Sequence, residues 1–237
     1  MSWLMLHGFT GSQASFARLA VPRSALVPTL GGHLDEPAST DFWAEVERLA
    51  ALDSAATQLF GYSLGARLAL GLLARYPKRY ERAILVSAHP GLRTEAQRVE
   101  RCRHDDRYVR LLRERGLAEF VSAWEEQPLW HTQRALDETV RSAKRRERLA
   151  HTAEGLAQSL TSVGLGRMPD LRPELVRVAC PVEVLVGAQD TKFAVLGGEL
   201  CSILPRARLG VARGAGHDLV LERPAFCSAF LSQGASR

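Results

Sequence analysis

Apolar and polar positions alternate along the chain between two kinds of segment. Short and mostly continuous apolar runs predict strands covered on both faces, as in a parallel sheet. Apolar residues at helical spacing between these runs predict helices over Asp41–Leu52 and Leu64–Tyr76, the second ending before Pro77. This alternation predicts an α/β fold with crossover helices. The predicted strands are Trp3–Leu6, Ala25–Pro28, Thr57–Phe60, Arg82–Val86, Val182–Val186 and Ala207–Val211.

The alternation breaks between about 90 and 167, where the chain is charged and patterned for helices. Leu117, Phe120, Val121 and Trp124 follow one another at the spacing of a single helix face. A structureless loop of this length would be unusual in a compact domain. We therefore expect a helical lid, inserted over one end of the sheet in a single domain that spans residues 1–237.

Composition narrows the class of protein. With 237 residues, 46% of them apolar, the chain can bury one full core. Its longest apolar stretch, near Leu68–Ala74, lies between two arginines and is too short to span a bilayer. The first residues have no basic region before their apolar positions, as a signal peptide would. These features predict a cytoplasmic protein without a membrane span.

The net charge of +5 comes almost entirely from arginine. A field of this size favours small anions over nucleic acid, for which no recognition motif is present. The four cysteines form no C-x-x-C pair, so no metal site is expected. No cofactor is expected either.

A G-x-S-x-G motif, Gly61 to Gly65, lies between a predicted strand and a predicted helix. That placement is typical of a nucleophile elbow, in which glycines permit a tight turn that exposes the serine hydroxyl. The alternative is an ordinary turn bounded by glycines. We expect Ser63 to be the nucleophile or part of a catalytic base.

A serine hydroxyl needs a base, and the base needs a group that orients it. In α/β folds with a nucleophile elbow these residues follow one another along the chain in the order serine, acid, histidine. Asp190 follows a predicted strand and a glycine turn, and His217 lies in a glycine loop after the last predicted strand. Asp190 could instead cap a helix, and Asp170 and Asp218 are rival acids. The motif order favours Asp190 and His217.

The segment His7 to Gly11 follows the first predicted strand. In this architecture an N–H of that loop and the N–H after the nucleophile form the oxyanion hole. The expected donors are the backbone amides of Phe9 and Leu64. A simple glycine turn would have the same sequence.

Together these motifs resemble the α/β-hydrolase-fold synthases of menaquinone biosynthesis, the 2-succinyl-6-hydroxy-2,4-cyclohexadiene-1-carboxylate synthases. The match extends over nearly the whole chain. It includes Gly61-Tyr62-Ser63-Leu64-Gly65-Ala66-Arg67, His89-Pro90-Gly91-Leu92, Trp124-Glu125-Glu126-Gln127-Pro128-Leu129, Met168-Pro169-Asp170-Leu171 and Gly214-Ala215-Gly216-His217.

The resemblance implies a cofactor-independent lyase that eliminates pyruvate from 2-succinyl-5-enolpyruvyl-6-hydroxy-3-cyclohexene-1-carboxylate. It implies that Ser63, Asp190 and His217 form the triad, and that Arg67, Arg101 and Arg148 hold substrate carboxylates. It also implies that Tyr62 and Trp124 line the pocket. Arginine suits such a polycarboxylate because its planar fork binds a carboxylate through two hydrogen bonds.

The sequence departs from that family in three places. Leu30-Gly31-Gly32-His33-Leu34 stands where Pro-Gly-His-Gly is usual, and Ala66 stands where a second glycine is common. The chain also begins in what is normally the third strand, so the two leading strands of the common sheet are expected to be missing.

Two other functions fit the same residues. A serine esterase or thioesterase would use the triad through an acyl-enzyme, and a hydrolase-fold binding protein would be catalytically silent. The expected partner is a small anionic substrate, and the expected state is a monomer or small homo-oligomer.

Overall fold

The computed structural model describes residues 2–52 and 55–232. In this part of the chain six strands form one sheet, and every neighbouring pair is parallel. All six predicted strands are confirmed, with ends that differ by two residues or fewer. The strands are β1 (Ser2–Leu6), β2 (Ala25–Leu26), β3 (Ala56–Tyr62), β4 (Arg82–Val86), β5 (Val182–Gly187) and β6 (Ala207–Ala212).

Their order across the sheet is β2-β1-β3-β4-β5-β6. Residue 1, residues 53–54 and residues 233–237 of the predicted domain lie outside the described residues. The helices are α1 (Phe42–Leu52), α2 (Leu64–Arg75), α3 (Glu95–Glu125), α4 (Glu138–Leu149), α5 (Ala153–Val163), α6 (Arg172–Leu175), α7 (Thr191–Ile203), α8 (Leu219–Glu222) and α9 (Pro224–Ser232), with two 3-10 helices at Gln13–Phe16 and Pro128–Ala135.

Both faces of the four central strands, β1, β3, β4 and β5, are buried. In β1, Leu4 and Leu6 point into a core shared with α1, α2, α6 and α7. Trp3 and Met5 alternate with them and pack on the opposite face with α8 and α9. This two-sided burial explains why the strands read as continuous apolar runs and not as alternating ones.

The chain between β4 and β5 is largely helical, as predicted, and has a core of its own. Phe120, Val121 and Trp124 of α3 pack there against Leu156 and other apolar residues of α5. Within α3 the backbone kinks at Gly116, whose φ of 82° interrupts the helix. We call α3, the second 3-10 helix, α4 and α5 the inserted helices. That they act as a lid stays a prediction.

None of the helices among the described residues combines the length and apolar character needed to cross a membrane.

Candidate active site

Ser63 lies at the turn between β3 and α2. Its φ of 53° and ψ of −106° are rarely adopted by a residue with a side chain, and strain of this kind is typical of a nucleophile elbow. The flanking glycines allow the turn to close. A Cβ on Gly61 would lie 2.5 Å from the carbonyl oxygen of Gly65, and one on Gly65 would lie 2.1 Å from that of Leu6.

Ser63, His217 and Asp190 form a hydrogen-bonded chain. The Ser63 Oγ lies 3.0 Å from His217 Nε2, and His217 Nδ1 lies 2.8 Å from Asp190 Oδ2. The imidazole is almost completely buried, and Asp190 Oδ1 also accepts the backbone N–H of Phe193 as it caps α7. Asp190 is therefore both the helix cap and the histidine partner. The rival acid Asp170 binds Arg172, and Asp218 caps α8.

The loop that carries His217 is held by a buried carboxylate, that of Glu222. It accepts hydrogen bonds from the backbone N–H groups of Gly216, at 2.7 Å, and Asp218, at 3.3 Å, and from the hydroxyl of Thr132, at 3.0 Å. Burial raises the pKa of Glu222. Thr132 belongs to the inserted helices, so this carboxylate joins the histidine loop to them. Sequence reasoning missed Glu222, since nothing in its local pattern marks it.

The segment after β1, residues 7–11, is called the oxyanion loop here. Its Gly8 and Phe9 line the same cavity as Ser63 and Leu64. The loop passes so close to the elbow that a Cβ on Gly8 would lie 2.8 Å from the ring of Tyr62. The two residues predicted to supply the amide donors, Phe9 and Leu64, thus line the same cavity as the serine, and their oxyanion role stays a prediction.

The cavity has a volume of about 310 Å³ and lies between the carboxyl edge of the sheet and the inserted helices. Trp124 and Trp130 from the inserted helices form part of its wall, and their buried indole Nε1 atoms have no hydrogen-bond partner. Tyr62 faces them, and burial, followed by the nearby Asp218, raises the pKa of its phenol well above the usual value. This part of the wall is aromatic.

Three cationic side chains line this cavity: Arg67, Arg101 and Lys192. Burial, and then the proximity of Arg101, lower the pKa of Arg67 to about 9, so its guanidinium stays charged at neutral pH. Arg101 donates through Nε to Asp105 at 2.9 Å. Burial, then Lys192 and Arg67, lower the pKa of the neighbouring His89 to about 3. The cavity is therefore suited to an anion.

Sequence reasoning missed Lys192. It follows the predicted acid Asp190 by two residues at the carboxyl edge of the sheet, and that spacing is a signal present in the sequence. Burial lowers its pKa, and Arg101 adds to the effect.

Arg148, predicted to hold a carboxylate, does not line the cavity in the structure. Its Nη1 donates to Glu125 at 2.8 Å, and its guanidinium lies 5.4 Å from the ring centroid of Trp130. Arg148 is thus behind the aromatic wall and not in front of it. Of the ten predicted site residues, the structure places the other nine at the cavity or in the chain of hydrogen bonds that leads to it.

Among the described residues, no group of three or more His, Cys, Asp or Glu side chains is arranged to hold a metal ion.

The chain is similar to known proteins over nearly its whole length. The profile of the Alpha/beta hydrolase family matches residues 3–230. A putative 2-succinyl-6-hydroxy-2,4-cyclohexadiene-1-carboxylate synthase from Bacillus subtilis (strain 168) is 34% identical over 240 residues, covering 96% of this chain and 88% of that protein. The synthase of the same name from Enterobacter sp. (strain 638) is 31% identical over 245 residues, covering 98% and 90%.

Among solved structures, MenH from S. aureus matches with a TM-score of 0.90 at 26% sequence identity. The match covers 97% of this chain and 91% of that one. The similarity therefore includes the inserted helices as well as the sheet.

Proposed function

The chain belongs to the Alpha/beta hydrolase family and, within it, to the 2-succinyl-6-hydroxy-2,4-cyclohexadiene-1-carboxylate synthases, as its motifs predicted, and we propose that it catalyses the reaction of that name. The substrate would be 2-succinyl-5-enolpyruvyl-6-hydroxy-3-cyclohexene-1-carboxylate, and the products the cyclohexadiene and pyruvate. No metal or cofactor takes part in the proposed steps.

The observation that carries this proposal is the charge of the cavity beside the serine. The substrate has three carboxylates, on the succinyl chain, the enolpyruvyl group and the ring. Arg67, Arg101 and Lys192 offer three cations in the cavity wall. A polycarboxylate would neutralise this group of cations, whereas a neutral ester offers them no charged partner. We propose that these three side chains hold the substrate.

The hydrogen-bonded chain would work as a base. Because Asp190 Oδ2 accepts a hydrogen bond from the N–H at His217 Nδ1, Nε2 is left unprotonated and can take the proton of the Ser63 hydroxyl. The serine oxygen would in turn remove the proton from ring carbon C2, next to the succinyl ketone. No acyl-enzyme is needed, since the serine transfers a proton and forms no bond to carbon.

The electron pair released at C2 would first form an enolate on the ketone oxygen. The backbone amides of Phe9 and Leu64 would stabilise this negative charge, and each oxyanion donor of this kind contributes about 10² to 10³-fold to the rate. The enolate then collapses to a C2–C3 double bond, the C3–C4 double bond moves to C4–C5, and the C5–O bond breaks. The departing enolpyruvate takes up the proton held by His217 and becomes pyruvate.

Pyruvate release from the enolpyruvyl substrate, coupled to lactate dehydrogenase, tests the proposal. Hydrolysis of p-nitrophenyl acetate should be measured beside it. We expect saturable pyruvate release that the Ser63→Ala variant loses. An enzyme that releases no pyruvate but hydrolyses simple esters efficiently would be a serine esterase, and one that does neither would be a binding protein.

A further inference from the structure

Three buried histidines from separate segments meet behind the oxyanion loop. His7 begins that loop, His33 lies in the loop after β2, and His151 lies between α4 and α5. The ring centroids of His7 and His33 are 5.0 Å apart, and those of His33 and His151 are 5.3 Å apart. None of the three takes part in the proton transfers proposed above.

The hydrogen bonds of His33 fix its tautomer and connect it to the oxyanion loop. Its Nε2 lies 3.2 Å from the backbone nitrogen of Thr10, which can only donate, so Nε2 is the acceptor. Its Nδ1 lies 3.2 Å from the carbonyl oxygen of Gly31, which can only accept, so Nδ1 carries the proton. His33 therefore bridges two loops as a neutral imidazole.

Thr10 needs such a bridge because its backbone is strained. Its φ of 62° lies in the left-handed region, which a β-branched residue rarely adopts. Such a conformation persists only where the surroundings hold it. The ring of the preceding residue, Phe9, contacts the His33 ring edge-on, with centroids 5.6 Å apart. His33 thus touches both residues on either side of the Phe9–Thr10 peptide.

The loop that carries His33, residues 30–34, is itself held at both ends by the other two histidines. Leu30 donates its N–H to His7 Nε2 at 3.2 Å, and Leu34 donates its N–H to His151 Nδ1 at 3.0 Å. Between them, a Cβ on Gly32 would lie 2.3 Å from the carbonyl oxygen of Gly155 in α5. Residues 30–34 are therefore packed between the oxyanion loop and the inserted helices.

We propose that His33 is a positioning residue, which holds the Phe9 amide in the orientation that the enolate requires. The inference rests on the oxyanion role proposed for Phe9. His33 is not one of the residues that line the cavity, and it acts through the Thr10 N–H and the Phe9 ring. It gives the Gly31–His33 segment, which departs from the usual Pro-Gly-His-Gly, a function in catalysis.

The electrostatic surroundings keep the acceptor available. Burial lowers the pKa of His33 well below its usual value, and burial lowers that of His7 to about 4. Both rings are therefore neutral at physiological pH. A protonated His33 could not accept the Thr10 N–H.

Two amide substitutions separate the positioning role from simple packing. In His33→Gln the side-chain oxygen reaches the position of Nε2 and can still accept the Thr10 N–H. In His33→Asn the shorter side chain reaches only the position of Nδ1, so that bond is lost while the side chain remains a polar amide. His131→Asn, at an exposed histidine of the inserted helices, is the matched control.

We expect His33→Asn to lower kcat for pyruvate release by about 10 to 100-fold, somewhat less than removal of an oxyanion donor costs. KM should stay within about threefold, because the lost interaction exists mainly in the transition state. His33→Gln should retain most of the wild-type kcat, and His131→Asn all of it. Melting temperatures establish that each variant is folded.

Equal kcat values for the Gln and Asn variants, or a loss confined to KM, would overturn the positioning role. If the wild type releases no pyruvate, the proposed function fails, and the same variants are compared on p-nitrophenyl acetate. Its tetrahedral oxyanion would need the same loop, so the order Gln above Asn is expected there too. The two failures are therefore distinguishable.

Discussion

At the scale of single residues, we propose that Ser63 and His217 act as one unit, because Ser63 Oγ and His217 Nε2 lie 3.0 Å apart and would exchange a single proton. We expect Ser63→Ala and His217→Ala each to remove most of the pyruvate release, and the double variant to be little worse than either. Members of one proton-transfer unit are not additive in their effects on kcat. Steady-state kinetics of the three variants provide the measurement. Losses that multiply would contradict the proposed triad.

Lys192 and Arg148 carry the same charge, but we expect their substitution by alanine to have different effects. Loss of Lys192 should lower activity, and loss of Arg148 should lower stability. Lys192→Ala should lower kcat/KM for the polycarboxylate about 10 to 150-fold, since a hydrogen bond to a charged group contributes roughly 1.5 to 3 kcal/mol. Its melting temperature should hardly change, because Lys192 lies on the exposed side of the cavity wall. Hydrolysis of a neutral ester should be unaffected.

Arg148→Ala should instead lower the stability of the inserted helices. It removes a buried partner of Glu125 and the cation stacked on Trp130. Breaking a buried ion pair on one side costs about 3 to 5 kcal/mol, and here the remaining contact of Glu125 with Arg145 reduces that cost. Urea denaturation measures the difference. Unchanged stability with a large loss in kcat/KM would return Arg148 to the substrate site.

At the scale of secondary-structure elements, the close approach of α2 to β1 depends on Gly65. A Cβ there would lie 2.1 Å from the carbonyl oxygen of Leu6 and 2.6 Å from that of His7, and backbone cannot move aside as a flexible side chain can. Gly65→Ala should therefore destabilise the protein by about 1 to 3 kcal/mol or more and abolish activity as Ser63 shifts.

Gly198→Ala is the matched control in α7, where an added Cβ meets nothing within 4 Å. This change should stabilise the protein by roughly 0.5 to 1 kcal/mol, because alanine loses less backbone entropy in a helix. The measurement is thermal unfolding of both variants. A Gly65→Ala variant as stable and active as Gly198→Ala would contradict the proposed packing of the elbow.

The same scale shows what the sequence could and could not predict. The strands and the elbow follow from local pattern, because burial on both faces and the need for glycine leave marks at short range. The position of Arg148 does not, since its partner Glu125 lies 23 residues away and only tertiary packing decides which side of Trp130 the guanidinium occupies. Glu222 was missed although two of its partners, Gly216 and Asp218, lie only six and four residues before it. Glu222 accepts hydrogen bonds because the loop that carries His217 folds back over it, and no sequence spacing indicates this fold of the loop.

At the scale of the whole molecule, several histidines are buried in the neutral form, and this makes stability depend on pH. The pKa of His7 is lowered to about 4 and that of His89 to about 3, both mainly by burial. Below about pH 6.5 the unfolded chain binds protons at these sites that the folded chain does not. The free energy of unfolding must therefore fall as the pH decreases from about 6.5 towards those lowered pKa values. Glu222, whose pKa burial raises, acts in the opposite direction as a single group.

Each unit of pH in this window should lower the free energy of unfolding by about 1.4 kcal/mol for each such histidine. Acidification from about pH 6.5 to 5 should therefore lower it by roughly 2 kcal/mol through His89 alone. His89→Asn tests this, because its side-chain oxygen can still accept the Gly91 N–H that His89 Nδ1 accepts at 3.1 Å, yet it does not titrate. Urea denaturation at several pH values should give a shallower slope for this variant than for the wild type. His131→Asn, at an exposed site, should keep the wild-type slope. A wild-type stability that stays constant or rises on acidification would show that the buried histidines are not held neutral by the fold.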